Sequence, residues 1–254
     1  MSPSNKPIIL MIHGGWHYPK CYDPFLDRLR ARGYTVLCPV LPTLGPNTHG
    51  KTPADDVAHI REVVLPLFDA GEEVVIIGHS YGGIPACAST EGLGVDERAK
   101  EGKRGGFRSI IYLAAFAIPQ RGMDLLTTFG GSWGVWQNAT KPYTRNQLIS
   151  VNENAKHAFF NDMTQEEAQK WFDTLVPHSQ DAFETGVNFV AADLTIPKAY
   201  VICELDQAIP KEVQERLAAS IPGFRVERLN AGHSPFLSQP EECAQCTLRI
   251  IENP

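Results

Sequence analysis

Val74-Val75-Ile76-Ile77-Gly78-His79-Ser80-Tyr81-Gly82-Gly83 is the stretch on which the reading of the whole chain turns. Four consecutive β-branched apolar residues are too hydrophobic for a strand with one wet face. They fit a strand buried on both sides, as in a parallel sheet. The Gly-x-Ser-x-Gly turn then leads into Ile84-Pro85-Ala86-Cys87-Ala88-Ser89, which can open a helix. Strand, serine and helix together make a nucleophile elbow, in which a strained turn holds the hydroxyl exposed. Crowding at such a turn tolerates almost no side chain two residues before and two after the serine, and Gly78 and Gly82 occupy those places.

Outward from the elbow the same alternation repeats. Ile8 to Ile12 read as a first buried strand ending in the glycine-rich bend His13-Gly14-Gly15-Trp16. Tyr22, Phe25, Leu26 and Leu29 recur at helical spacing, and Gly33 closes that helix. Residues 34–38 form a second strand, and Thr52-Pro53-Ala54-Asp55 supplies a cap, a first-turn proline and an early acid for the helix carrying Val57, Ile60, Val63, Val64 and Leu67. Residues 96–108, mixed in charge and rich in glycine, read as a solvated loop before a fourth strand at 109–114. Strands at 199–203 and 225–229, a helix at 211–221 and a final helix from Pro240 complete the pattern. The fold class is therefore α/β: a mostly parallel sheet flanked by helices. The alternation breaks over residues 119–193, where Trp133, Trp136, Phe159, Phe160, Trp171 and Phe172 gather and Thr164-Gln165-Glu166-Glu167 forms a capping box. We expect a core of residues 1–118 and 194–254 with 119–193 inserted as a helical cap, whose aromatic residues pack on the sheet and roof an apolar pocket.

A serine hydroxyl attacks well only when a base takes its proton and an acid orients the base. Asp206 follows the strand at 199–203, and His233 follows the strand at 225–229, so both lie where groups converge in a parallel sheet. Glu204 competes for the acid; Asp206 is preferred because it lies further into the loop. Among eight histidines, His79 points away from the serine in an elbow, His13 fits a supporting role at a strand end, and His17, His49, His59, His157 and His178 lack the strand-end context of a base. The backbone N–H groups of Tyr81 and Gly15 are the candidate oxyanion donors. Trp16, Trp133 and Phe159 are candidates for contact with substrate.

The His13-Gly14-Gly15-Trp16 loop, Gly78-His79-Ser80-Tyr81-Gly82-Gly83, Leu113-Ala114-Ala115-Phe116, Cys203-Glu204-Leu205-Asp206-Gln207-Ala208-Ile209-Pro210 and Ala231-Gly232-His233 span nearly the whole chain. Together they resemble the α/β-hydrolase family that contains plant methylesterases and hydroxynitrile lyases. The resemblance implies an α/β-hydrolase fold, no cofactor, small esters or cyanohydrins as substrates, and Asp206 rather than Glu204 as the acid. The lyases of that family carry a threonine in the first-strand loop and a lysine after the histidine. Gly14 and Ser234 stand in those places here, which resembles the esterase branch. His157-Ala158-Phe159-Phe160-Asn161-Asp162 looks more like bacterial and fungal relatives, so a plant-hormone substrate is not carried over.

Bulk properties narrow the partners. The chain has 254 residues, 43% of them hydrophobic, enough for one large domain with a substantial core. A formal net charge of -6 argues against nucleic acid or an anionic membrane, leaving a small-molecule substrate and a monomer or homodimer. The N-terminus runs into its first strand without a signal-peptide pattern, and no apolar run approaches the about 18 residues of a membrane span, so a cytoplasmic protein is expected. The six cysteines are scattered, and the Cys243/Cys246 pair fits helix packing better than a redox or metal site. The leading expectation is hydrolysis of a small, largely apolar ester, lactone or thioester. The alternatives are a C–C lyase or cyclase using His233 as base, and a ligand receptor on the same fold.

Overall fold

A computed structural model of the chain describes residues 6–253, so part of the N-terminal stretch read for a leader lies outside it. Strand β1 (Ile8–Ile12) is buried throughout and passes through the glycine bend to α1 (Asp23–Ala31), which Gly33 ends at φ +79. The short strand β2 (Val36–Leu37) precedes α2 (Pro53–Asp69), whose first turn Thr52 and Asp55 cap reciprocally. Strand β3 (Glu73–His79) feeds the elbow and α3 (Gly83–Ser89).

Residues 96–108 are not the loop expected. They hold a helix, α4 (Val95–Lys100), and the start of strand β4 (Gly106–Leu113). The mixed charges make the difference. Glu97 caps the first turn by accepting from Gly94 N–H, and Arg98, 4% exposed, donates to Gly105 O and Asp69. The charge pattern that looks solvated is thus partly folded inward onto backbone carbonyls.

Between β4 and the next core strand the chain forms α5 (Leu125–Phe129), β5 (Gln137–Asn138), β6 (Leu148–Val151), α6 (Ala155–Phe160), α7 (Gln165–Phe172) and β7 (His178–Ser179). The expectation of an all-helical insertion therefore needs correcting: β5, β6 and β7 make a small antiparallel sheet. These strands are two to four residues long, too short for period-two alternation to register in the sequence. The expected capping box is present at α7, where Thr164 and Glu167 exchange hydrogen bonds.

Strand β8 (Lys198–Cys203), α8 (Lys211–Ser220), β9 (Phe224–Leu229), the one-turn α9 (Pro235–Ser238) and α10 (Pro240–Glu252) close the chain. The main sheet runs β2-β1-β3-β4-β8-β9 with every pairing parallel. Its two faces feed two cores. Leu10, Val74, Ile76, Ile110 and Tyr200 point to the side of α2 and α8, while Met11, Val75, Ile77, Ile111 and Val201 point to the side of α1 and α10. Because both faces are covered, successive residues are all apolar, which is why the strands read as unbroken hydrophobic runs. Cys243 and Cys246 are fully buried on the second face, where they pack as small apolar residues.

Candidate active site

Ser80 lies at the C-terminal end of β3 with φ +52, a left-handed conformation that costs a non-glycine residue of order 1 kcal/mol. Its surroundings explain the glycines. A Cβ on Gly78 would sit 2.6 Å from Gly83 Cα, and one on Gly82 would sit 2.4 Å from Ile12 O. The strand and helix are pressed together so tightly that only hydrogen fits at either place. On the far side, a Cβ on Gly14 would meet Ser80 Cβ at 3.0 Å, so the bend after β1 packs directly on the serine.

That bend is held by its carbonyls. The Nδ1–H of His13 donates to Gly14 O at 2.9 Å while its Nε2 accepts from Leu41 N–H at 3.0 Å. The Nδ1–H of His17 donates to Gly15 O at 2.8 Å. Gly14 N–H is taken by Tyr22 Oη at 2.8 Å. Neither Gly15 N–H nor Tyr81 N–H is among the backbone donors paired in the turns and loops around the bend.

The acid and base expected from sequence are brought together. His233 Nδ1–H donates to Asp206 Oδ2 at 2.7 Å, with the two residues 1% and 2% exposed. Asp206 also accepts from Ala208 N–H, Ile209 N–H and Gln214 Nε2, at 2.7, 2.9 and 3.0 Å, so its orientation is fixed by four donors. With Nδ1 committed as donor, Nε2 of His233 is the nitrogen left to take a proton. Glu204 is turned elsewhere, to Arg228 at 3.5 Å. Ser80 itself is 9% exposed, at the border of a cavity.

His79 ties these parts together. Its Nε2–H donates to His233 O at 2.9 Å, and its Nδ1 therefore accepts from Tyr22 O–H at 2.8 Å. One directed chain runs from Gly14 N–H through Tyr22 and His79 to the backbone of His233, which links the glycine bend, the elbow and the histidine loop. Asp162 adds a brace from the insertion by accepting from Gly232 N–H and Ser238 Oγ, both at 2.7 Å. In sequence Tyr22 reads only as an apolar helix position; its hydroxyl partner lies 57 residues away. Tyr22→Phe removes one oxygen but strands a buried N–H and a buried ring nitrogen. We expect it to lower unfolding free energy by about 2–6 kcal/mol in denaturant titration, at about 1–3 kcal/mol for each of the two orphaned groups.

Burial sets the charge of this neighbourhood. Loss of solvent lowers His13 to about 4 and His17 to about 3, and holds His79 and His178 well below the ordinary histidine value. His17 and His178, which lack the context of a base in the sequence, are both enclosed beside the bend, His17 against Phe159 and His178 against Phe183. Behind Tyr81, the buried Asp56 accepts from Tyr81 O–H at 2.6 Å and from Thr43 Oγ1 and N–H, and desolvation raises it to about 7. Its location on α2 gives no sequence sign of this role.

A narrow, largely enclosed cavity borders Ser80. Trp16, Trp133 and Phe159, all expected at the substrate, line it, and Phe159 stacks on the His233 ring with centroids 5.5 Å apart. Phe116, Phe129 and Phe183 are lining residues the sequence reading did not single out. No charged side chain lines it. No group of three or more His, Cys, Asp or Glu able to hold a metal ion occurs among the described residues, nor does any helix long and apolar enough to cross a membrane.

Residues 9–246 match the family model described as alpha/beta hydrolase family, and the chain belongs to that family. Within it, the chain is 28% identical over 249 residues to the alpha/beta hydrolase nvfD of Aspergillus novofumigatus, covering 98% of this chain and 96% of the relative. It is 26% identical over 266 residues to a pyrethroid hydrolase of Sphingobium wenxiniae, covering 97% and 88%. Methylesterase 4 of Arabidopsis thaliana is 22% identical over 277 residues, covering 98% of each, in keeping with the resemblance to the esterase branch. The crystal structure of polyneuridine aldehyde esterase shares the fold, with a TM-score of 0.77 at 19% identity, covering 96% of this chain and 99% of that one.

Proposed function

We propose that this chain is a serine esterase acting on an uncharged, largely apolar carboxylic ester. Ser80 attacks the carbonyl carbon as His233 Nε2 takes its proton, and Asp206 holds the imidazole in the tautomer that permits this and stabilises the imidazolium. The negative charge on the carbonyl oxygen falls to Gly15 and Tyr81 N–H. His233 then returns the proton to the leaving alcohol, and a water deprotonated by the same nitrogen releases the acyl group from Ser80.

The observation that carries this reading is the buried His233–Asp206 pair, with its ring stacked on an aromatic residue of the cavity that Ser80 borders. Membership of a family with relatives named as hydrolases and esterases adds support. The acid assignment is tested by comparing two variants on p-nitrophenyl butyrate. Asp206→Asn should lose about 10⁴-fold in kcat through the wrong histidine tautomer, whereas Glu204→Gln stays within a few-fold of the unmodified protein. Equal losses in both would refute the assignment.

A further inference from the structure

The cavity beside Ser80 has one amide in an otherwise aromatic and aliphatic wall. Gln137 lines it, and the other lining side chains apart from Ser80 are aromatic or aliphatic. Of the lining tryptophans, Trp16 has its indole committed, Nε1–H to Ile149 O at 3.1 Å, and the Nε1 edge of Trp136 lies against Gly134, where a Cβ would stand 2.9 Å from it.

Gln137 is held rather than loose. Its residue pairs with Val151 in β5–β6, and the preceding carbonyl, Trp136 O, accepts from Asn152 N–H at 3.0 Å. Its own Oε1 accepts from Gly134 N–H at 2.7 Å. That bond fixes which end of the amide is which, because a backbone N–H cannot donate to the NH₂ end. The capacity that remains is the pair of Nε2 hydrogens on this half-buried side chain, open to a ligand that enters the cavity. A donor in an apolar wall discriminates strongly, since a ligand that fails to meet it leaves the group desolvated and unpaired.

Resting on the esterase reading, we propose that Gln137 is a specificity-determining residue that selects esters bearing a second, uncharged acceptor oxygen, a ketone or ether remote from the scissile carbonyl, within a bulky apolar group. The absence of charge in the wall disfavours carboxylates and ammonium groups at that position, since neither would find a counter-ion there.

The test uses two p-nitrophenyl esters of nearly equal size, the phenylbutyrate and the benzoylpropionate, which differ by one carbonyl oxygen in place of a methylene. The unmodified protein should favour the benzoylpropionate by about fivefold to tenfold in kcat/KM, the worth of one net hydrogen bond. Gln137→Leu should bring the ratio of the two esters to about one, and Gln137→Glu should reverse the preference, since a carboxylate repels the ketone oxygen. An unchanged ratio in Gln137→Leu, or an equal loss on both esters, would overturn the proposal. Binding of the two corresponding amides, followed by quenching of tryptophan fluorescence, reads the same ratio without chemistry. If neither ester turns over but the amides keep the Gln137-dependent preference, the esterase reading fails and the selectivity stands; if the amides bind with equal affinity, the selectivity fails.

Discussion

Ser80→Ala is expected to reduce ester turnover by at least about four orders of magnitude while leaving the fold in place. The size follows from the division of labour. Without the hydroxyl there is no acyl-enzyme, and only the oxyanion donors and binding remain, which support a residual rate far below that of the intact machinery. The survival of the fold follows from the geometry around the side chain. Ser80 borders the cavity, so loss of its hydroxyl opens no void in the core, and alanine keeps the Cβ that packs on Gly14. The φ of +52 is strained for either residue. Thermal unfolding within a few degrees of the unmodified protein, together with collapsed kcat on p-nitrophenyl butyrate, is the expected pair of results.

The second large effect is acid lability. Four buried histidines, His13, His17, His79 and His178, are neutral in the folded chain at pH values where they take up protons once unfolded. A base whose folded value is lowered stabilises the fold above its unfolded value, near 6.5, and that contribution is lost as pH falls from there toward the folded value. Asp56 opposes this. Its folded value is raised to about 7, so it gives up a proton on unfolding between the ordinary carboxylate range and 7, and its contribution to stability falls as pH rises through that window. Four uptakes against one release leave about three protons. Stability should therefore drop by roughly 4 kcal/mol per pH unit below about 6, against a typical total of about 5–15 kcal/mol. Urea titrations at pH 7.5, 6 and 5 check this, and a flat profile would contradict the burial of these rings in neutral form. His17→Gln should make the slope shallower by about one proton's worth, near 1.4 kcal/mol per pH unit.

What could be read in advance divides along physical lines. The parallel sheet was legible because strands covered on both faces carry unbroken apolar runs, as Val74 to Ile77 do, and because the helices between them show caps such as Thr52 and Asp55. Ser80, Asp206 and His233 were legible because each follows a strand in the main sheet. The insertion was not. Strands of two to four residues leave no periodic trace, and the aromatic residues there look alike whether they fill the core, as Phe160 does, or face the cavity, as Phe183 does. Side chains that act through long-range polar contacts, such as Tyr22 on His79 and Asp56 on Tyr81, were also invisible, since neither spacing nor composition identifies the partner. The helix at 95–100 was hidden by its charges, because Arg98 turns inward to carbonyls that only the fold brings near.

The central claim is that Ser80 forms a covalent acyl intermediate. Mixing the protein with excess p-nitrophenyl butyrate, quenching in acid within milliseconds and measuring intact mass should show one added butyryl group, carried by the peptide containing Ser80, with a matching burst of p-nitrophenol. Steady turnover with no adduct, an adduct on another residue, or turnover that persists in Ser80→Ala would contradict it.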